Sequence, residues 1–473
     1  MTVIPIKNPR SGEFDYEIMP PAPKEIAAIA RRLRKAQPRW AAMGVEARGA
    51  AMLRFADALE RQREDLTACL ANDTGRYHIS VVEVNGAIGG IKRWAASAPG
   101  LLHGESGASS SIPNLRYKTN LRPYELVGAI SPWNFPLTLS LIDAVPALMA
   151  GCAVLLKPSE VTSRFAAPLQ AALTEVPEVE AVFDIVLGGG ETGAALIENV
   201  DAICFTGSVA TGKKVAAAAA QHFIPAFLEL GGKDPAIVLE SADVDRAVTA
   251  LLRGSIVNTG QACQSIERIY VAAGIADAFE TKLAEQAKAV TLNTQDMTTG
   301  QIGPFIFDKQ AELVGKQLEQ AKEKGATVLA GGEIEDHGGK WLRPTVLTNV
   351  TSDMDVIQEE TFGPVLPLTR FDHIDQAVEM ANDSKFGLSG AVFAGTAEEA
   401  EGVAARLDVG AVSINDASLT SMMFEAEKNS FKLSGLGASR MGQSGLTRFL
   451  RKQAILINDG PVAPIAAFDE ANA

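Results

Sequence analysis

Three scarcities bound this sequence before any motif is read. It holds four cysteines in 473 residues, Cys69, Cys152, Cys204 and Cys263. They are far apart and form neither a CxxC pair nor a Cys/His metal spacing. No metal site or disulfide framework is expected, and the thiols read as those of a reducing compartment. Basic residues are in deficit, 43 Lys and Arg against 57 Asp and Glu, for a net charge of −14. Such a chain lacks the cations to neutralise a nucleic-acid backbone. Long apolar runs are missing too. The longest, around residues 137–156, is broken by Asp143, Pro146 and Gly151, so it falls short of the ~20 apolar residues that cross a bilayer. The opening Met1-Thr2-Val3-Ile4-Pro5-Ile6-Lys7 has no basic region followed by an apolar core, so no secretion signal is expected. The expected location is the cytoplasm, with no membrane partner. What the chain has in plenty is hydrophobic residues, 47%, enough for large cores, and a length that allows about three domains.

Periodicity then organises the chain. Residues 22–42 and 48–70 carry apolar side chains at helical spacing, with Ala51, Leu53, Ala56, Leu59 and Leu66 on one stripe. Residues 82–94 read as another helix. Residues 106–114 form a Gly/Ser-rich break. From Leu115 to Leu126 apolar and charged residues alternate, which reads as a strand with a solvent face at a sheet edge. Strands are then expected at 127–130, 152–156, 183–187, 202–205 and 226–230. Helices alternate with them at 163–173, 192–198 and 211–221. A second series follows from residue 236, with strands at 236–239, 269–271, 345–347, 365–368, 390–393 and 411–414. Its helices are expected at 244–253, 275–289, 374–382 and 397–405. Alternating strands and helices imply parallel sheets covered by helices, here as two α/β domains meeting near Gly231-Gly232.

Several stretches carry possible chemistry, each with a plainer alternative. Cys263 sits in the polar turn Asn258-Thr259-Gly260-Gln261-Ala262-Cys263-Gln264, whereas an inert cysteine more often lies in an apolar run. Gly188-Gly189-Gly190-Glu191-Thr192-Gly193 fits GxGxxG between strand and helix, or is simply a turn. Gly207-Ser208-Val209-Ala210-Thr211-Gly212-Lys213-Lys214 misses a Walker A loop at Lys214, where Ser or Thr should meet magnesium. That argues against a P-loop hydrolase and leaves a helix N-terminus open to phosphate. Lys157-Pro158-Ser159-Glu160 lies at a strand end, where α/β sheets bind ligands, and is either a ribose clamp or a capped turn. Pro132-Trp133-Asn134-Phe135-Pro136 stiffens an amide that is either an oxyanion donor or a buried Asn satisfied by backbone. In Leu228-Glu229-Leu230-Gly231-Gly232-Lys233, Glu229 is either a base in apolar surroundings or the partner of Lys233.

Together these stretches resemble the aldehyde dehydrogenase superfamily. The resemblance runs from Arg48 to about Ile457. It rests on seven motifs in the family's order: Pro132-Trp133-Asn134-Phe135-Pro136, Lys157-Pro158-Ser159-Glu160, Phe205-Thr206-Gly207-Ser208, Leu228-Glu229-Leu230-Gly231-Gly232-Lys233, Gly260-Gln261-Ala262-Cys263, Glu360-Thr361-Phe362-Gly363-Pro364 and Ser434-Gly435-Leu436-Gly437. It implies two Rossmann-like parallel-sheet domains and a small β oligomerisation arm. The cofactor domain would span 1–104 and 124–231, the catalytic domain 232–440, and the arm 105–123 and 450–463. It also implies oxidation of an aldehyde to the acid with NAD(P). Cys263 would attack the aldehyde and form a thiohemiacetal. Asn134 and the Cys263 N–H would hold the oxyanion. Hydride would leave for the nicotinamide, giving a thioester, and Glu229 would activate water to release the acid. Trp133, Lys157, Ser159, Glu160, Gly193, Gly207, Ser208, Gly212, Leu230, Glu360 and Phe362 would hold the cofactor, with residues 188–193 reduced to a turn near the adenine. Glu160 favours NAD, since a carboxylate repels a 2′-phosphate, with NADP as the alternative. Glu229 favours hydrolysis over acyl transfer to coenzyme A. A homodimer or homotetramer is implied.

One stretch departs from the family. Many members have Pro-Phe-Gly-Gly-x-Lys before Ser-Gly-x-Gly, whereas here Glu427-Lys428-Asn429-Ser430-Phe431-Lys432 precedes Ser434. Met422, Met423 and Phe424 either pack their own loop, the plainer reading, or make an apolar funnel wall for aromatic or other apolar aldehydes. Glu425 and Glu427 offer the alternative of an amino-aldehyde, and a semialdehyde remains a further option. A non-catalytic relative is the remote alternative, opposed by the joint presence of Cys263, Glu229 and Asn134.

Overall fold

The expected alternation builds two large sheets in the computed structural model, which describes residues 2–472. Met1, where the expected cofactor domain begins, lies outside the described residues. The first sheet has six strands in the order Gly435–Leu436, Ala226–Glu229, Ala202–Thr206, Leu126–Ile130, Ala153–Lys157 and Phe183–Ile185. All neighbours pair in parallel except Gly435–Leu436, which runs antiparallel on the edge. Ala153–Lys157 and Ala202–Thr206 are buried at every position. Both faces are covered by helices, so neither face needs polar residues. Within this sheet the first strand in chain order, Leu126–Ile130, lies beside the fourth, Ala202–Thr206. Connections leave these two strands in opposite directions, so a crevice opens past their C-terminal ends.

The second sheet has seven strands, Thr327–Ala330, Thr345–Thr348, Val365–Phe371, Ile266–Ala272, Asp234–Val238, Gly390–Phe393 and Val412–Ile414, parallel except at the first pair. Ala236, Val238, Ile269 and Val271 feed the core on one face, and Ile237, Leu239 and Tyr270 feed the other. This is the period of two expected for a strand between two apolar layers. Between Ala226–Glu229 of one sheet and Asp234–Val238 of the other there are only the four residues Leu230-Gly231-Gly232-Lys233.

Several local expectations are corrected. The single helix over 48–70 is two, Val45–Arg61 and Arg63–Thr74, because Gln62 at φ −90° and ψ 8° leaves the helical region. No Gly or Pro marks that break. Of the expected stripe, Ala51, Ala56, Leu59 and Leu66 are buried, while Leu53 is 43% exposed and Met52 and Phe55 take its place in the core. The helix at 163–173 begins later, as Ala166–Thr174, which puts Pro168 in the first turn, where its missing N–H has no helical partner to lose. The strand from Leu115 ends at Pro123 and is not an edge. It lies between Ser106–Ala108 and Leu450–Asn458 in a three-stranded sheet. Ser106–Ala108 lies just upstream, but the long cover on the other side comes from residue 450 onward, too distant in sequence for local alternation to reveal. Helix Asp308–Glu323 and the hairpin of Ile334–Asp336 with Lys340–Leu342 are additional elements. No helix among the described residues is long and apolar enough to cross a membrane.

The C-terminal segment returns to the first sheet and is clamped there by charge. Asp143, on helix Pro136–Ala150, accepts hydrogen bonds from Arg440 at 3.0 Å and from Arg448, and all three side chains are buried. Removing the shared carboxylate strands two buried cations. Asp143→Ala is therefore expected to cost about 3–5 kcal/mol, measured as a lower denaturation midpoint; an unchanged midpoint would contradict the clamp.

Candidate active site

The crevice of the first sheet is lined where the fold opens it. After Leu126–Ile130 the chain enters Ser131-Pro132-Trp133-Asn134, and after Ala202–Thr206 it enters Gly207-Ser208. Trp133, Asn134, Gly207, Ser208, Leu230, Cys263, Glu360 and Phe362 all border one pocket, with Gln310 and Gly231 among its further lining. Residues far apart in sequence, from both sheets, thus converge on one cleft.

The cysteine turn is held to the asparagine loop by an interlocked set of amides. Asn134 Nδ2 donates to the Gln261 carbonyl at 2.9 Å. Asn258 Nδ2 donates to the Asn134 carbonyl at 2.8 Å and to Gln261 O at 3.0 Å. Gln261 Nε2 donates to Asn258 O at 3.1 Å, and its Oε1 accepts from the Ile306 N–H at 2.9 Å. Asn258 and Thr259 take left-handed backbone angles, φ 56° and 60°. Gly260 follows at φ 70°, where a Cβ would stand 2.2 Å from the Gly363 carbonyl carbon, so only glycine allows this approach. Strain of this kind persists where surrounding contacts over-determine it, and here the amide network does so. Asn134 is satisfied by backbone, as its plainer alternative held, yet Nδ2 carries two hydrogens and Gln261 takes one.

Cys263 is half-buried. Burial pushes its thiol up to about 12, Lys428 and Arg440 pull it down, and Glu229 and Asp234 push it further up. Glu229 ends strand Ala226–Glu229. Its carboxylate is not in apolar surroundings and is not paired with Lys233. It accepts from Ser430 Oγ at 2.8 Å and faces Lys428 Nζ at 3.5 Å. Lys233 is committed elsewhere, donating to Glu267 at 2.9 Å and to Thr361 Oγ1 at 2.8 Å. The other oxygens and N–H groups close the knot: Glu267 accepts from the N–H groups of Thr361 and Phe362, each at 2.7 Å. That fixes Phe362 at φ 51° and sets its ring edge-on to Trp133, with centroids 5.4 Å apart.

The remaining candidates, Lys157, Ser159 and Glu160 among them, are not in the lining of that pocket. Lys157, at the end of its buried strand, points Nζ to Pro158 O at 3.2 Å and to Glu160 at 3.4 Å. Burial holds its ammonium below the ordinary lysine range. The Glu160 side chain is 39% exposed, so this pair is available to hydroxyl groups of a ligand. Ser159 accepts from the Val161 N–H and caps the turn after it. Ser208 caps helix Val209–Gln221, whose first N–H groups face the crevice side occupied by Gly207. Gly231 is a cradle: a Cβ there would lie 2.5 Å from a Glu360 carboxylate oxygen. Gly212 and Gly193 do not line the pocket. Gly212 faces Leu230, with 2.5 Å to an added Cβ, and Gly193 abuts the Lys157 stem. Both permit close packing behind the site. The donors and acceptors along the crevice fit a dinucleotide. Lys428, Ser430 and Gln310 were not anticipated. Lys428 and Ser430 lie in the stretch that departs from the family, which was the available signal, while nothing in the sequence singled out Gln310.

Comparison with known proteins is consistent along the whole chain. A family model described as the aldehyde dehydrogenase family matches residues 1–455. A Mycolicibacterium smegmatis protein provisionally named succinate-semialdehyde dehydrogenase, NADP(+), is 36% identical over 437 residues, 91% of this chain and 84% of that protein. The structure of a provisionally named aldehyde dehydrogenase from Anabaena variabilis matches with TM-score 0.96 and 52% identity over 99% of this chain and 100% of that one. Betaine aldehyde dehydrogenase from Staphylococcus aureus, solved in complex with NAD+, matches with TM-score 0.92 and 32% identity over 99% of this chain and 94% of that one.

Two buried carboxyls beside the junction give a pH signature. Burial pushes Glu360 up to about 8, with neighbouring Glu267 adding to it, and burial pushes Asp234 to about 8. The folded chain therefore holds more protons than the unfolded one between the ordinary carboxylate range, about 4, and pH about 8. Stability contributed by these groups is fully present at the acidic end and lost as pH rises through that window. The denaturation midpoint of the cofactor-free protein should show this falling component, and Glu360→Gln should flatten it; an identical pH slope in the variant would refute the assignment.

Proposed function

The chain belongs to the aldehyde dehydrogenase family and is an oxidoreductase acting on aldehydes, and we propose that it converts its substrate to the carboxylic acid through Cys263, Asn134 and Glu229 with NAD(P). The observation that carries this reading is the convergence of Cys263 and Asn134 on one pocket with Glu360 and Phe362, with the carboxylate of Glu229 close enough to act on the Cys263 thiol.

Cys263 acts as a thiolate, because sulfur without its proton is the nucleophile. Attack on the aldehyde carbon forms the S–C bond and moves the carbonyl electron pair onto oxygen. The unused Asn134 Nδ2 hydrogen and the backbone N–H of Cys263 receive that oxyanion. Their dipoles are already fixed by the amide network, so no reorganisation is needed as charge develops. When bound, NAD(P) supplies the hydride acceptor. Lys157 and Glu160 bind ribose hydroxyls, Gly207 and Ser208 the diphosphate, and Glu360 the second ribose. Trp133, Ser159, Gly193, Gly212, Leu230 and Phe362 shape or support that crevice. The acyl group on sulfur is then released by water: Glu229 takes a proton as the water oxygen bonds to carbon, and the C–S bond breaks. The exposed carboxylate of Glu160 supports NAD over NADP by repelling a 2′-phosphate, although the Mycolicibacterium relative is named for NADP(+).

Met422 and Met423, 57% and 56% exposed, support apolar aldehydes. A semialdehyde is the second reading. It is favoured by Arg93, whose guanidinium lies 3.9 Å over the Phe424 ring, and by the name of the Mycolicibacterium relative. The arm supports a homo-oligomer, since Leu456 is 79% and Ile455 44% exposed on a strand that pairs on one side only. Four free cysteines support a reducing compartment such as the cytoplasm.

A panel of aliphatic, aromatic, amino- and semialdehydes with NAD and NADP, followed by reduced cofactor, tests the reading. Turnover is expected with at least one class, and none at all would overturn it. Cys263→Ala should abolish turnover; a variant that still reduces cofactor at the parent rate removes the thiol from the mechanism. Glu229→Gln should slow acid release by about 10²-fold or more and let an acyl-enzyme build up that mass spectrometry detects. An unchanged steady-state rate would exclude Glu229 as the base.

A further inference from the structure

Lys428 is the cation in this site that no hydrogen bond accounts for. Its side chain is 5% exposed, and Nζ is buried with no hydrogen-bond partner among the described residues. An ammonium has three donors, and burying it unsatisfied is costly. Lys233 shows how the same fold treats a structural lysine, with Glu267 and Thr361 both within hydrogen-bond distance. The acid that faces Lys428 is instead Glu229, at 3.5 Å, and Ser430 from the same stretch bonds that carboxylate at 2.8 Å. The segment that departs from Pro-Phe-Gly-Gly thus places a charge and a hydroxyl on the proposed base.

We propose that Lys428 is a positioning residue of the reaction, an ammonium that holds Glu229 in place and supplies the counter-charge for the Cys263 thiolate. This rests on Cys263 and Glu229 acting as proposed above. The physical need is specific. A site that hydrolyses a thioester with a carboxylate brings two anions together, the base and the nucleophile, in a cavity where burial already disfavours the thiolate. The four charged groups around Cys263 come from three segments: Glu229 ending the last parallel strand of the first sheet, Asp234 opening the second sheet, and Arg440 and Lys428 in the C-terminal segment. Asp234 is capped by the Ser389 N–H and hydroxyl, and burial keeps it protonated up to about 8. Arg440 is bonded to Asp143 and to Thr206. Lys428 is the cation left whose charge is not taken up by a hydrogen-bonded acid. Among the charges it is the strongest pull on the thiol toward ionisation.

The test is the pH dependence of carbamidomethylation of Cys263 by iodoacetamide in the full-length, cofactor-free protein. Sulfur bonds to the methylene carbon, iodide leaves, and the thiol proton goes to buffer. Peptide mass mapping separates Cys263 from Cys69, Cys152 and Cys204, and Cys263→Ala identifies the signal. Lys428→Met should slow labelling about tenfold near neutral pH, the equivalent of one unit in thiol ionisation. Lys428→Arg should restore most of it, and Lys428→Gln replaces the Met variant if that one fails to fold. A profile that does not move, or moves toward easier ionisation, overturns the proposal. So does a variant whose labelling is unchanged while KM rises only for carboxylate-bearing aldehydes, since that would make Lys428 a substrate contact. Cys263→Ala that keeps full aldehyde turnover would sink the underlying reading instead, and is distinguishable because it leaves the Lys428 labelling shift intact.

Discussion

The buried pair of Lys233 and Glu267 is the constraint on which the cleft depends. Lys233 lies at the four-residue junction between the sheets, and Glu267 is in the central strand Ile266–Ala272. Burial pushes the lysine down and Glu267 pulls it back up. Such a pair is poor evidence for stability in itself, because desolvation consumes much of the attraction. Its value is geometric. Glu267 uses both oxygens on the N–H groups of Thr361 and Phe362, so one side chain sets the loop that carries Glu360 and Phe362. Lys233 also fixes the register of Gly231-Gly232, against which the Glu360 carboxylate packs, accepting from the Gly232 N–H at 3.0 Å.

From that junction the chemistry follows by proximity. The strand before it ends in Glu229 and the strand after it begins with Asp234, and the cysteine turn closes over both: a Cβ on Gly232 would meet the Cys263 carbonyl at 2.4 Å and Asp234 at 3.0 Å. Tight convergence is useful for positioning but concentrates acid. Every ionised carboxylate brought in raises the cost of a thiolate. The C-terminal segment, clamped to the first sheet through Asp143, brings the cations that balance it. The strand that follows, Leu450–Asn458, carries the same segment out to the surface, so the cleft and the three-stranded sheet share one run of chain.

Much of this was legible because motifs at strand ends are local. Lys157, Gly207 and Glu229 each follow a short apolar run, and a strand end in a parallel sheet is where a ligand site forms. The alternation of strands and helices carried the fold class for the same reason. Other features were not legible, for identifiable reasons. The break at Gln62 has no proline or glycine to announce it. The cover of the strand from Leu115 comes from residue 450 onward. Gly212 reads as part of a phosphate loop but serves to let Leu230 approach. Lys428 sits among Glu425 and Glu427 and reads as one more solvated charge.

The sequence alone determined the two-sheet class and the family, and it singled out the candidate thiol, amide and carboxylate, because each is written in a contiguous stretch of residues. Only the tertiary structure decided which charges face one another. Lys233, adjacent in sequence to the proposed base, turns away to Glu267, while Lys428, 199 positions beyond Glu229 by the numbering, turns toward it. Pairing of buried charges is a matter of where strands end and loops return, and no local pattern encodes it.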